Sequence, residues 1–245
     1  MRHAWVGAAL AVVLSTQGAA WAASAGTISF LEGKAFRAPG GDMSKKVALA
    51  NGGNVEAGDL IGTEAKSRLE ITLGDQSIVR VGPKSQTQLS EANFADGQRK
   101  VSAKLVLGNV WAKVSTALGG DQKFEVTTER AVAGVRVTTF RVDSRKDKVV
   151  VVKVFAGAVA VAGNSIPRPL APEMASDKTK NGRTQVSGPH QVTKAEWEKI
   201  VGAQMKITVA ADGKPSEPEK FVDADECKDD WTRWNRERDG EPCPK

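Results

Sequence analysis

Few residues of this 245-residue sequence have the type and spacing to do chemistry. Histidine occurs only at His3 and His190. Nucleophilic sites need a base beside the nucleophile, and His190 sits in Ser187-Gly188-Pro189-His190, a turn without catalytic motif context. Cys227 and Cys243 lie close together near the end of the chain, with no histidine nearby to complete a metal site. No Gly-x-Gly-x-x-Gly follows a strand, and neither a phosphate loop nor a zinc ligand set is present. Carboxylates are plentiful, so counting leaves a glycosidase-type pair open. Tyr is absent, however, and no aromatic platform for sugars emerges. The expectation is a non-enzymatic protein with no catalytic residue, cofactor or metal. Binding is the remaining chemistry. Trp231 and Trp234 stand beside Arg233, Arg236 and Arg238, residue types favoured at interface hot spots. The competing reading is packing, because Cys227, Trp231 and Trp234 form one apolar stripe at helical spacing.

The elements that would position these residues are mostly strands. Val outnumbers Leu 28 to 12, and β-branched side chains fit a pleated surface. Residues 1–22 read as a secretory signal peptide. Arg2 and His3 are followed by an uncharged run from Ala4 to Leu14 and the small-x-small sequence Ala20-Trp21-Ala22. Cleavage is expected between Ala22 and Ala23, giving a periplasmic or secreted protein with no transmembrane span in its mature form. The run is shorter than the about 20 apolar residues that cross a bilayer. Export makes a disulfide between Cys227 and Cys243 the expected pairing.

Charge is unevenly spread. Glu217 to Lys245 holds ten acidic and six basic residues, a net of −4, which leaves +10 on the rest of a chain whose total is +6. The basic side chains alternate with apolar ones along strands and are expected to face solvent. No polybasic block appears, and an exported protein is not expected to meet nucleic acid.

Arg68 to Leu73 alternates as a half-buried strand, turns at Gly74-Asp75 and is followed by Ile78 to Val81. Three further segments, turning at Gly33, Gly108 and Gly157, read as hairpins. Residues 167–182 carry Pro167, Pro169 and Pro172 and a polar stretch, and read as a surface excursion. A capping box at Thr193-Lys194-Ala195-Glu196 predicts a helix carrying Trp197, Ile200 and Val201. A strand over Met205 to Val209 follows, and Asp223 predicts the cap of a second helix.

The most informative stretch runs from Phe124-Glu125-Val126-Thr127-Thr128 through Ala131, Gly134, Val135, Arg136, Thr138, Phe140 and Val142. It resembles the FecR domain family, whose hallmark is Ala-x-x-Gly-Val-Arg-Gly-Thr-x-Phe-x-Val. Gly58-Asp59-Leu60-Ile61, Ser67 to Ile71, Val81-x-Pro83-x-Ser85 and Leu105-x-x-Gly108-x-Val110 extend the similarity, which covers residues 26–163. Val137 stands where the family has Gly, and the phase of alternation slips at Thr138-Thr139, predicting a β-bulge. The expected fold is mostly β, an antiparallel hairpin-rich sandwich or roll, with two short C-terminal helices. Residues 23–193 would form the β domain and 194–245 an extension. The resemblance implies an exported protein that recognises another envelope component, such as an outer-membrane receptor or complex, as a sensor or scaffold. Arg136, Trp231 and Trp234 are the candidate partner-binding residues. A glycan- or peptidoglycan-binding module is the alternative.

Overall fold

The computed structural model describes residues 24–94, 99–115, 122–164 and 198–244. The expected signal peptide with its Ala22–Ala23 junction, the expected excursion at 167–182, His190, the expected capping box at Thr193 and Trp197 lie outside these residues.

Seventeen strands are seen among the described residues. They are β1 (Gly26–Glu32), β2 (Ala35–Ala38), β3 (Val47–Ala48), β4 (Asn54–Val55), β5 (Leu60–Thr63), β6 (Arg68–Leu73), β7 (Ile78–Val81), β8 (Gln86–Asn93) and β9 (Arg99–Lys113). Then follow β10 (Gln122–Thr127), β11 (Ala131–Val135), β12 (Thr139–Ser144), β13 (Val150–Ala156), β14 (Ala158–Gly163), β15 (Glu198–Gly202), β16 (Met205–Val209) and β17 (Glu219–Lys220). Two helices close the chain, α1 (Asp223–Glu226) and α2 (Asp230–Asp239).

The strands form a curled sheet of two layers that share the long strand β9. The first layer runs β4-β1-β6-β7-β9-β12-β13-β16-β17. The second runs β3-β2-β5-β8-β9-β10-β11-β14-β15. All these pairings are antiparallel except β9 with β10, which is parallel. Alternation turns one side of each strand inward. Ile28, Ile71, Val79, Ala112, Phe140 and Val154 form one inward row of the first layer. Leu89, Ala103, Val126, Ala133 and Val161 form a matching row of the second. Both rows are buried within the core between the layers.

The glycines at 33, 108 and 157 do not turn hairpins; they are corners at which the chain passes between layers. β1 and β2 do not pair with each other, nor do β13 and β14, and Gly108 lies inside β9. Each corner packs against a buried hydroxyl on the neighbouring crossing. Ser67 Oγ accepts from Lys34 N at 2.9 Å, Ser85 Oγ accepts from Asn109 N at 2.9 Å, and Thr138 Oγ1 donates to Ala158 O at 3.1 Å. Gly108 and Gly157 have φ of +94° and +82°, and a Cβ there would collide with Ser85 and with the Val137 carbonyl. The same event explains the phase slip. Between β11 and β12 the chain changes layer, and the register irregularity falls between Thr139 and Phe140. Val137 is not in the left-handed region; Gly157, across the corner, is the residue that must lack a side chain.

The helical expectation after Thr193 is overturned for residues 198–202, which form β15. Val201 pairs with Val159 and is buried, while its neighbour Ile200 is exposed. That is a period of two. The free edge of β14 and the β-branched Ile200-Val201 pair favour a ladder over a helix. β16 keeps the expected bounds. The second predicted helix is broken in two at Cys227–Asp229. Asp223 is its first residue and not its cap, and Asp229 caps α2 by accepting from Thr232 N at 3.0 Å.

Candidate functional site

One row of side chains crosses the outer face of the first layer. Phe30 of β1 lies opposite Glu70 of β6, then come Arg80 of β7, Trp111 of β9, Arg141 of β12, Lys153 of β13, Lys206 of β16 and Glu219 of β17. Sequence alternation expects such residues in water. Instead α1 and α2 lie over most of the row and pair with it. Arg80 donates from Nε to Glu70 at 2.6 Å and from Nη2 to Asp239 at 2.8 Å. Arg80 and Asp239 are each 1% exposed at the side chain. Trp111 Nε1 donates to the other Asp239 oxygen at 2.9 Å. Arg238 reaches back to Glu70 at 2.9 and 3.0 Å. Arg141 binds Asp229 and Thr232, and Lys153 binds Glu226 at 2.5 Å.

Burial opposes ionisation of Glu70, but hydrogen bonds from Arg238, Arg80 and Ser29 overcome it and lower its pKa from 4.5 to about 2. Burial likewise pushes Asp229 up, and Arg141 with Thr232 brings it below its ordinary value. Arg141 is raised because Asp143 and Asp229 outweigh its desolvation. Glu70, Asp229 and Arg141 are therefore all charged at neutral pH.

Aromatic contacts complete this seal. Trp231 and Trp234 stack with centroids 5.2 Å apart, and Trp234 meets Phe30 at 5.6 Å. Trp231 is 5% exposed. Cys227 and Cys243 are bonded, tying the residue after α1 to the segment beyond α2. The stripe Cys227-Trp231-Trp234 is thus a packing face and offers no free indole surface at Trp231.

The family-motif residues lie on the other layer and at its crossing. Ala131, Val135, Thr138, Phe140 and Val142 are buried. Gly134 faces outward, and Arg136 and Val137 project at the corner. They line an open groove of about 700 Å³ on the outer face of the second layer, with Lys123, Glu125, Ala158, Ala160 and Ile200. Gly134 pairs with Glu125 on one side and with Ala160 on the other, and Ala160 pairs with Ile200. Arg99 Nη2 donates to the Arg136 carbonyl at 3.4 Å and fixes the backbone. The Arg136 side chain makes no ion pair or hydrogen bond among the described residues.

Residues 59–160 match the family model described as FecR protein. Over that stretch the chain is similar to the FecR family. Two crystal structures of a candidate anti-sigma factor from Parabacteroides distasonis are similar to it, each with 17% identity and a TM-score of 0.45. The match covers 66% of this chain and 59% of that one. None of the curated proteins matches the sequence. The FecR match begins at the buried Asp59 and ends at Ala160 on the groove floor, so the α1–α2 cover lies outside it.

Among the described residues no group of three His, Cys, Asp or Glu is placed to hold a metal, and no helix is long and apolar enough to cross a membrane. Glu70, Arg80, Trp111 and Arg141 were not singled out by sequence. The signal that could have found them is the charge split. An acidic tail of net −4 needs a basic surface, and the excess of +10 before Glu217 supplies it.

Proposed function

We propose that this is an exported, non-enzymatic FecR-domain protein that recognises another protein of the cell envelope and acts as a sensor or scaffold. The observation that carries the reading is the contrast between the two sheet faces. On the first, Arg80 and Arg141 are consumed by the chain's own helix. On the second, Arg136 has no ion pair among the described residues and stands beside a groove with exposed Val137 and Ile200, at 52% and 64%. Exposed apolar side chains gathered in a concave site mark interaction surfaces. The FecR match, which takes in β10, β11 and the start of β14, supports a regulatory role.

The test is photo-crosslinking in intact cells with a benzophenone side chain at Ile200. A discrete envelope protein captured there, and not from Lys148 on a remote turn, supports the reading. Recovery of cytoplasmic proteins alone, or no adduct, overturns it. Retention on purified sacculi that free glycan competes away would replace the protein partner with a glycan.

A further inference from the structure

Resting on that reading, we infer that the groove on the second layer receives an amphipathic α-helix of a partner protein, apolar side chains down and a carboxylate on Arg136. The floor is formed by β11 and β14. Their outward positions are Val132, Gly134, Ala158, Ala160 and Ala162, with no polar side chain among them. An outward antiparallel face normally carries polar residues, so this floor is built to be covered. Gly134 is not needed for the backbone. Its φ is not positive, and a Cβ there would meet only the Ala160 carbonyl at 4.0 Å. Its lack of a side chain leaves the groove deep.

The kind of occupant follows from hydrogen bonding. β11 is paired on both edges, to β10 and β14, and β14 to β11 and β15. The floor therefore offers no free backbone donor or acceptor, and strand addition is impossible there. An occupant that desolvates its own backbone on this floor must satisfy it internally, which a helix does. The width agrees. Three strand spacings separate β10 from β15, about 14 Å, and a helix with side chains is about 10–12 Å across. Lys123 and Glu125 on one wall pair with each other at 3.1 Å. Among the described residues, Arg136 is then the charge lining the groove that has no ion-pair partner, and an acidic side chain complements it. The first layer shows the same solution within the chain, where α2 lays its indoles on the sheet and gives Asp229 to Arg141.

The experiment titrates the ¹⁵N-labelled mature protein with a synthetic helical peptide bearing Leu at i, i+3, i+4 and i+7 and a Glu beyond them. A Glu→Lys peptide and a proline-interrupted peptide are run beside it. Amide shifts confined to the Gly134, Ala160 and Ile200 region are expected. Arg136→Glu should weaken binding by about tenfold, the loss of one charge-assisted contact, and should improve the Lys peptide. Gly134→Leu should abolish binding. If that variant misfolds, Arg136→Glu at its exposed position still decides the matter. Equal binding by the proline-interrupted peptide, shifts on the α2 face alone, or no shift up to about 1 mM peptide overturns the inference. Should Ile200 crosslink to an envelope protein while the helical peptide does not bind, this inference falls and the reading beneath it stands. With neither result, both fall.

Discussion

Replacing Arg80 with Met tests whether the ion pairs under α2 hold the cover in place. The change keeps an unbranched chain of similar reach and removes the guanidinium that joins Glu70 to Asp239. Asp239 would be left buried with Trp111 Nε1 at 2.9 Å and Lys113 Nζ at 3.9 Å. Glu70 would keep Arg238 and Ser29. Breaking one partner out of a buried pair costs about 3–5 kcal/mol. The remaining donors place this case near the lower end, about 3 kcal/mol, or roughly 6–12 °C in Tm for a chain of this size. The pH dependence sharpens the test. Glu70 has a folded-state pKa of about 2 against an ordinary 4.5. Its stabilising contribution is therefore fully present above 4.5 and lost as pH falls towards 2. Without Arg80 the depression relaxes, so the gap between wild type and variant is widest above pH 4.5 and narrows below it. Urea denaturation followed by tryptophan fluorescence at pH 7, 4.5 and 3 measures this. A gap under about 1 kcal/mol at pH 7, or one that does not narrow at pH 3, refutes the reasoning.

Trp231→Ala is expected to destabilise the protein by about 3–5 kcal/mol because the indole is buried under α2; an unchanged melting temperature would contradict that packing. Mass spectrometry before and after reduction should show the two-hydrogen gain of one Cys227–Cys243 bridge, with about 3 kcal/mol of stability lost. Two free thiols in the untreated protein would count against it. Gly157→Ala should cost more than about 2 kcal/mol from its left-handed φ and the Val137 carbonyl, whereas Gly134→Ala should be near neutral. Equal effects in chemical denaturation would undo the distinction between corner and groove glycines. N-terminal sequencing of the exported protein should begin at Ala23; a chain retaining Met1 would contradict signal cleavage.

Local pattern made some elements legible. Alternation from Arg68 to Leu73, the Gly74-Asp75 turn and the strand Met205–Val209 all appear in the structure. What alternation reports is the side of a strand, and it is silent on whether a later segment covers that side. Arg80 reads as a solvated residue for that reason, although it is among the most buried side chains. A left-handed glycine serves a hairpin and a layer crossing equally well. Only the strands that pair across Gly33, Gly108 and Gly157 distinguish the two, and those partners are distant in sequence. Ile200-Val201 fits a short helix or strand, and the edge of β14 decides. In the groove, Arg136 was legible as outward. Its companions Ala160 and Ile200 reach it only through the β11-β14-β15 ladder.

The ion pairs beneath α2 join residues separated by 159 positions at Arg80–Asp239 and 168 at Arg238–Glu70. Such closures come late in folding because chain entropy must first be overcome. A chain delivered from its N-terminus can pair β1 to β14 before residues 223–239 arrive. Until they do, Trp111 and Arg80 are wet and the first sheet presents an uncovered charged face. Residues 223–239 therefore act as the completion step of the first layer, and a premature stop after Val222 yields a β body that invites chaperone capture or self-association.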